Sequence, residues 1–508
     1  KQNIMIAKMK WLLPALCFAF FQTANSQTKD AAYMEKHRPQ IHFSPKKGWM
    51  NDPNGMVFFN GKYHLFFQHN PDSTVWGPMH WGHAVSTDLV HWEELPIALY
   101  PDALGTIFSG SAVIDKDNTA GFGANAMVAI YTSHSHAMEK EGFEKVETQS
   151  IAYSLDEGIT WTKYKGNPVL PNPGIRDFRD PKVAWYEPTK KWIMTLATMD
   201  HITFYSSPDL KNWTEESKFG KNIGAHGGVW ECPDIFPLNH EGKQVWVLIV
   251  NINPGGPNGG SATQYFTGNF DGHVFTPDDT ETKWLDYGPD DYAGITWSNT
   301  GDRKIFIGWM SNWAYANIVP TVNWRSANTI ARELAIEKTG DKYLVSSAPV
   351  KELDILKATS YNAKNVKAKN INITAKAGKL NGPAILKLTA DELKAFNITL
   401  SNNAGEKVVL GYDKTANQYF IDRSQSGKVD FAKDFGNKII APRFSANKNT
   451  DITLVIDVAS VEVFADKGLS VLTAIFFPTS DYTDITISSK DGFVIKTLNL
   501  SHLNSAWK

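Results

Sequence analysis

A chain of 508 residues, 42% of them hydrophobic, is too long for one ordinary core, so two domains are expected. Its 51 lysines and arginines stand against 53 acids, giving a formal net charge of −2 without any basic block. That balance excludes a surface built to follow a phosphate backbone, and nucleic acid is not an expected partner.

The first 26 residues read as an export signal. Lys8 and Lys10 precede the apolar run Trp11 to Phe21, and Ala24-Asn25-Ser26 supplies small residues at the spacing of a signal peptidase site. The apolar run is too short to span a bilayer. A lipid anchor on Cys17 is the weaker reading, because Leu16 stands where a small residue is wanted. Once the leader is removed Cys232 is the only cysteine, so no intrachain disulfide can form. The protein is therefore expected to be periplasmic, secreted or held at the cell surface.

Residues 39–345 carry a repeated pattern. Ser86-Thr87-Asp88-Leu89-Val90-His91-Trp92, Ser154-Leu155-Asp156-Glu157-Gly158-Ile159-Thr160-Trp161 and Ser207-Pro208-Asp209-Leu210-Lys211-Asn212-Trp213 share Ser, Asp two residues on, then Trp four or five further, and Asn269 to Phe275 is a looser copy. Each copy sits between short runs rich in Val, Ile, Tyr, Phe and Trp, such as Met127 to Thr132, Trp192 to Ala197 and Val245 to Val250. Such strand sets, each closed by an Asp turn and an aromatic, predict an all-β fold with four-stranded blades around a central funnel, a β-propeller. Fifteen of the seventeen Trp lie between Trp49 and Trp324, and only Trp507 comes later, which places a domain boundary in between. From about Lys338 lysine becomes frequent and alternating strands appear, for example Lys407 to Tyr412, Gln418 to Arg423 and Ile452 to Asp457. Residues 360–508 are expected to form a β-sandwich after a linker near Lys351 to Ser360, with nothing catalytic in it.

Three acidic residues in the first half are candidates for chemistry. Asp52 lies in Trp49-Met50-Asn51-Asp52-Pro53-Asn54-Gly55, a rigid turn followed within some thirty residues by Tyr63 to Asn70 and Trp76 to His83, dense in rings and amides that suit a polyhydroxylated ligand. Asp180 lies in Phe178-Arg179-Asp180-Pro181 after Pro171-Asn172-Pro173-Gly174. Glu231 lies in Trp230-Glu231-Cys232-Pro233-Asp234 after Gly224-Ala225-His226-Gly227-Gly228. Taken singly, each also reads as a structural turn residue, Asp180 as an Asx turn paired with Arg179.

Together the three motifs resemble glycoside hydrolase family 32, the family of invertases, inulinases and levanases, and the resemblance runs from about Pro39 to the C-terminus. It implies a five-bladed propeller followed by a β-sandwich, with Asp52 as nucleophile, Glu231 as general acid/base and Asp180 holding hydroxyls of the fructosyl ring. It also implies that Asn51, Gln68, Trp76, Phe108, Ser109, Arg179 and Trp313 bind or wall off the terminal fructosyl unit, although Trp76 and Trp313 also read as propeller core. A retaining glycosidase needs an ionised carboxylate and a protonated carboxyl about 5 Å apart. Asn51 and turn amides suit the first role at Asp52. Trp230 and Cys232 flank Glu231 and suit the second, and Asp180 beside Arg179 is expected to stay ionised. His69, His80 and His83 read as structural or rim residues; no metal and no cofactor is expected.

The expected substrate is a fructan or fructo-oligosaccharide. Asn253 to Phe266 and Trp309 to Asn317 look more like levanases and inulinases than like plant or yeast invertases, which favours β-2,6-linked levan. The alternatives are an invertase or fructosyltransferase acting on sucrose, and an inactive fructan-binding protein.

Overall fold

Five antiparallel sheets follow one another in chain order, each a meander whose first strand lies innermost. The computed structural model describes residues 33–507, and the expected export signal lies outside them. Blade I comprises Gly48–Phe59, Lys62–Asn70, His80–Ser86 and Glu93–Leu99, and blade II Thr106–Asp115, Ala126–His134, Glu147–Ser154 and Thr162–Lys163. Blade III comprises Phe178–Tyr186, Lys191–Thr198, His201–Ser207 and Thr214–Phe219, and blade IV Val229–His240, Lys243–Asn253, Ala262–Phe270 and Phe275–Pro277. Blade V takes Tyr292–Thr296, Ile305–Trp309, Arg332–Thr339 and Lys342–Pro349. The five innermost strands contact one another in a ring that runs from blade I through blade V and back.

The Ser-x-Asp repeats occupy equivalent places, the turn between the third and fourth strands of a blade. Asp88 Oδ1 accepts the Val90 and His91 amides, at 3.0 and 2.8 Å, and Asp209 Oδ1 accepts those of Lys211 and Asn212 at the same distances. Asp271 Oδ1 does the same in blade IV for His273 and Val274. An acceptor two residues before unpaired amides is what such a turn requires, which explains the periodicity. Between blades, apolar strand faces and the large aromatics fill the wedges: Trp49, Trp81, Trp230, Trp297 and Trp309 are all essentially inaccessible. The ring closes by splicing. Trp324–Arg325 pairs in parallel with Gly48 and Trp49, and Ser298 exchanges backbone hydrogen bonds with Met56 and Phe58, at 3.0 Å each.

After the last blade, Lys351–Leu356 forms a 3₁₀ turn and the chain enters an all-β unit. Its strand Asp484–Leu503 serves two layers: residues 484–488 pair with Phe396–Ser401, and residues 497–502 pair with Ala384–Ala390. Leu386, Leu400, Ile421, Leu472, Phe476 and Ile487 lie in the apolar core between those layers. The architecture is thus a five-bladed propeller followed by a β-sandwich, as the sequence predicts.

Sandwich and propeller meet over buried charge. Arg332 of blade V bonds Asp286 and Asp291 through Nη1, at 2.9 and 2.8 Å, and Glu462 through Nε at 3.0 Å. His42 bridges Asp457 at 2.7 Å and Glu462 at 2.8 Å. Arg423 of the sandwich reaches Asp290 at 2.8 Å.

One irregularity recurs in every blade and decides where the functional residues point. On each innermost strand the antiparallel register slips so that two residues oppose one. The slips fall between Met50 and Pro53, Ile107 and Gly110, Arg179 and Lys182, Glu231 and Asp234, and Tyr292 and Ile295. A bulge of this kind bends the strand and re-aims its side chains. Each includes or adjoins a Pro or Gly (Pro53, Gly110, Pro181, Pro233, Gly294), suited to a position that gives no ladder hydrogen bond or tolerates no side chain. At Gly294 an added Cβ would stand 2.0 Å from the Phe306 ring. Asp180, Cys232 and Ala293 adopt positive φ of 64°, 42° and 52°, a strained backbone for residues with a Cβ.

Candidate active site

The bulges turn side chains from all five blades toward the axis. A cavity of about 500 Å³ opens there, lined by all ten residues singled out in the sequence: Asn51, Asp52, Gln68, Trp76, Phe108, Ser109, Arg179, Asp180, Glu231 and Trp313. At its floor Asp52 accepts from Asn51 Nδ2 at 2.7 Å, Ser109 Oγ at 2.6 Å and Cys232 Sγ at 3.4 Å. Asn51 is oriented in turn by Trp49 Nε1, which donates to its Oδ1 at 2.7 Å. Asp180 Oδ2 accepts the Cys232 amide at 3.0 Å, and Cys232 Sγ lies 3.6 Å from the same oxygen. The Asn172 carboxamide accepts the Gly174 and Ile175 amides at 2.8 Å each and so shapes the loop that leads into the Asp180 strand.

Glu231 lines the same cavity. Its Oε1 accepts from Arg179 Nη2 at 2.9 Å and its Oε2 from the Tyr292 hydroxyl. Arg179 is held from behind by Asp177 at 2.7 Å and Glu147 at 3.3 Å. Burial pushes the Glu231 carboxyl above its ordinary range, with the Asp52 charge adding to it, despite the opposing pull of Arg179 and Tyr292. The expected direction is met, but the cause differs, since the Trp230 ring packs away from the pocket among Phe219, Phe266 and Ile252.

The expectation that Arg179 keeps Asp180 ionised does not hold. Burial, with Glu231 and Asp52 nearby, outweighs the Arg179 charge and pushes the Asp180 carboxyl up to about 8. The physical reason is burial: the guanidinium, which forms its ion pairs with Glu231, Glu147 and Asp177, still pulls Asp180 down, but by less than burial pushes it up.

Aromatic walls complete the cavity. Trp313 packs against Trp49 and Trp309, with ring centroids 5.9 and 4.9 Å apart. Trp76 is 38% exposed at the rim and meets Phe108 edge to face at 6.1 Å, so neither tryptophan is plain core. Gln68 stands across from the blade I bulge, and its Nε2 has no hydrogen-bond partner within the protein. Of the histidines, His69 Nδ1 bonds the Trp49 carbonyl at 2.8 Å, His83 pairs with His64 at 3.1 Å, and His80 bonds the Pro78 carbonyl at 3.2 Å. Tyr292, Glu147 and Asp177 escaped the reading of the sequence. Asp177, two residues before Arg179, was within reach as an acid beside a motif, whereas nothing local marks Tyr292 or Glu147.

Comparison with known proteins agrees with this arrangement. The profile described as Glycosyl hydrolases family 32 N-terminal domain matches residues 42–348, and that described as Glycosyl hydrolases family 32 C terminal matches residues 351–504. A levanase of Bacillus subtilis is 44% identical over 525 residues, covering 100% of this chain and 76% of that protein. An extracellular exo-inulinase of Aspergillus awamori is 38% identical, covering 91% of this chain and 93% of that protein. The crystal structure of exo-inulinase from Aspergillus awamori superimposes with a TM-score of 0.85 at 36% identity, covering 94% of this chain and 100% of that one. The chain belongs to glycoside hydrolase family 32 and is a glycosidase.

Proposed function

We propose that the protein hydrolyses β-fructofuranosidic bonds in fructans through a fructosyl-enzyme intermediate, with levan the preferred chain. The observation that carries this reading is the meeting of Asp52, Asp180 and Glu231, from three different blades, in one cavity. Asp52, surrounded by three donors and open to the cavity, is the nucleophile that attacks the anomeric carbon. Glu231, whose carboxyl favours its proton, gives it to the leaving oxygen and then takes one from water. Asp180 holds ring hydroxyls, and binding them adds polar partners to the Cys232 amide and thiol that its buried carboxyl already has. Its hydrogen bonds strengthen as positive charge develops on the ring. Gln68 Nε2 offers a free donor to a sugar oxygen, and Asn51, Trp76, Phe108, Ser109, Arg179 and Trp313 complete the pocket.

The preference for levan rests on the two segments that look like levanases and inulinases, and these touch. Asn312 Oδ1 of the second accepts the Ser261 amide of the first at 3.4 Å, and the Trp313 amide donates to Ser261 Oγ at 3.4 Å, so the first segment backs Trp313. Asn317 Oδ1 accepts the Trp76 amide at 2.9 Å and ties the opposite rim to the same segment. Similarity to proteins named extracellular supports export, and among the described residues no helix is long and apolar enough to cross a membrane.

The test combines product and substrate. Proton NMR taken before mutarotation is expected to show β-fructose released first, and specificity constants are expected to favour levan over sucrose. Initial release of the α anomer would overturn the two-step mechanism, and a specificity constant for sucrose well above that for levan would make the enzyme an invertase.

A further inference from the structure

At the mouth of the cavity, outside the three carboxylates, His134, His136 and Glu139 bring one ligand atom each to within 4.8 Å of one another. We propose that they form a binding site for a divalent transition-metal ion of the zinc type.

The distances carry this. Glu139 Oε2 lies 3.1 Å from His134 Nε2 and 3.4 Å from His136 Nδ1. Ligands around tetrahedral zinc, each about 2.0–2.1 Å from the ion, stand roughly 3.3–3.4 Å apart, so a small rotation of two partly exposed side chains accommodates the ion. His134 is built for the role. Its other nitrogen, Nδ1, faces Glu147 at 3.2 Å, the carboxylate–imidazole pairing that orients metal-bound histidines. The ring is fixed by stacking on Phe108, centroids 4.3 Å apart at 7°.

The three ligands fall within six consecutive residues, from the end of strand Ala126–His134 into the short helix His136–Lys140. Little chain entropy is therefore lost on chelation. Two imidazoles and one carboxylate select zinc, cobalt, nickel or copper over magnesium and calcium, which prefer all-oxygen shells. Three protein ligands leave a position open toward the cavity.

The experiment is calorimetric titration of zinc chloride into the full chain previously treated with a chelator. One ion per chain is expected, with magnesium chloride giving no saturable heat. His136→Ala and Glu139→Gln are each expected to weaken zinc binding at least tenfold. His136→Ala should hydrolyse sucrose normally without zinc, which reports its fold, and Met138→Ala, a neighbouring change, should bind zinc as the wild type does. Zinc binding that is unchanged in His136→Ala, equally weakened in Met138→Ala, or absent at millimolar concentration in the wild type overturns the proposal.

Discussion

Two places in this molecule bury several acids around an arginine, one sealed from solvent and the other open to a cavity. At the junction of propeller and sandwich, Arg332 and His42 sit among Asp286, Asp291, Glu462 and Asp457, every side chain sealed from solvent. Burial there pushes the Glu462 carboxyl up, but Arg332, His42 and the Ile330 amide together prevail and bring it down. At His42 burial pushes the imidazole down, but the hydrogen bonds it donates to Asp457 and Glu462, with their charges, prevail and lift it to about 9. In the pocket a single guanidinium pairs with Glu231, Glu147 and Asp177, and burial pushes the Asp180 and Glu231 carboxyls up despite its pull on both. Even at the junction Asp291 is pushed well above its ordinary range, by burial first and by Asp286 and Glu462 beside it, but the acids there are sealed in, whereas those of the pocket open onto a cavity. Charge left poorly compensated in the empty pocket is what a polar substrate can complete, whereas the junction has nothing to gain from a ligand.

Substitutions should separate the two. The largest effect is expected at Asp52→Ala, with fructoside hydrolysis falling to background in a steady-state assay while the thermal midpoint stays at or above wild type. A variant that keeps a tenth of turnover would remove Asp52 from the chemistry. Glu231→Ala should lose roughly two to four orders of magnitude on natural substrates. It should lose less in the first step on a fructoside whose leaving group needs no proton; equal losses on both would make Glu231 structural. Asp180→Asn is nearly isosteric but cannot carry the negative charge that answers the positive charge developing on the ring, so the rate constant and the specificity constant should fall together, and a rise in KM alone would reduce Asp180 to a binding residue.

Arg332→Ala should do the reverse. It strands three buried carboxylates and is expected to cost about 3–5 kcal/mol in denaturant unfolding, without a specific loss of turnover in the molecules that remain folded. The smallest effect belongs to His42. Its folded pKa is raised, so its contribution to stability is complete below about 6.5 and disappears as pH climbs through about 9. The melting temperature should therefore fall between pH 7 and pH 10, and His42→Gln should flatten that part of the profile.

What could be read in advance was what is local. The Ser-x-Asp turns, the aromatic strands and the three acidic motifs each lie within a few residues, and those residues alone specify a turn or an alternation. The bulges were not legible as bulges, although their Pro and Gly stood in plain view, because a bulge is defined by the partner strand. Tyr292 and Glu147 reach Glu231 and Arg179 only when blades V, IV, III and II stand side by side. The charge of Asp180 was misjudged for a related reason: Arg179 beside it is visible in the sequence, whereas its burial, which outweighs that cation, depends on the blades packed around it.

The splice that closes the propeller has a kinetic consequence. Met56 and Ser298 are 242 residues apart in sequence, and the strand that Ser298 and Trp324 fasten is the one that carries Asn51 and Asp52. Contacts so distant cannot form until the intervening blades are in place. Recovery of activity on refolding should accordingly trail the recovery of secondary structure and report the moment at which the ring is sealed, with no partly active species before it.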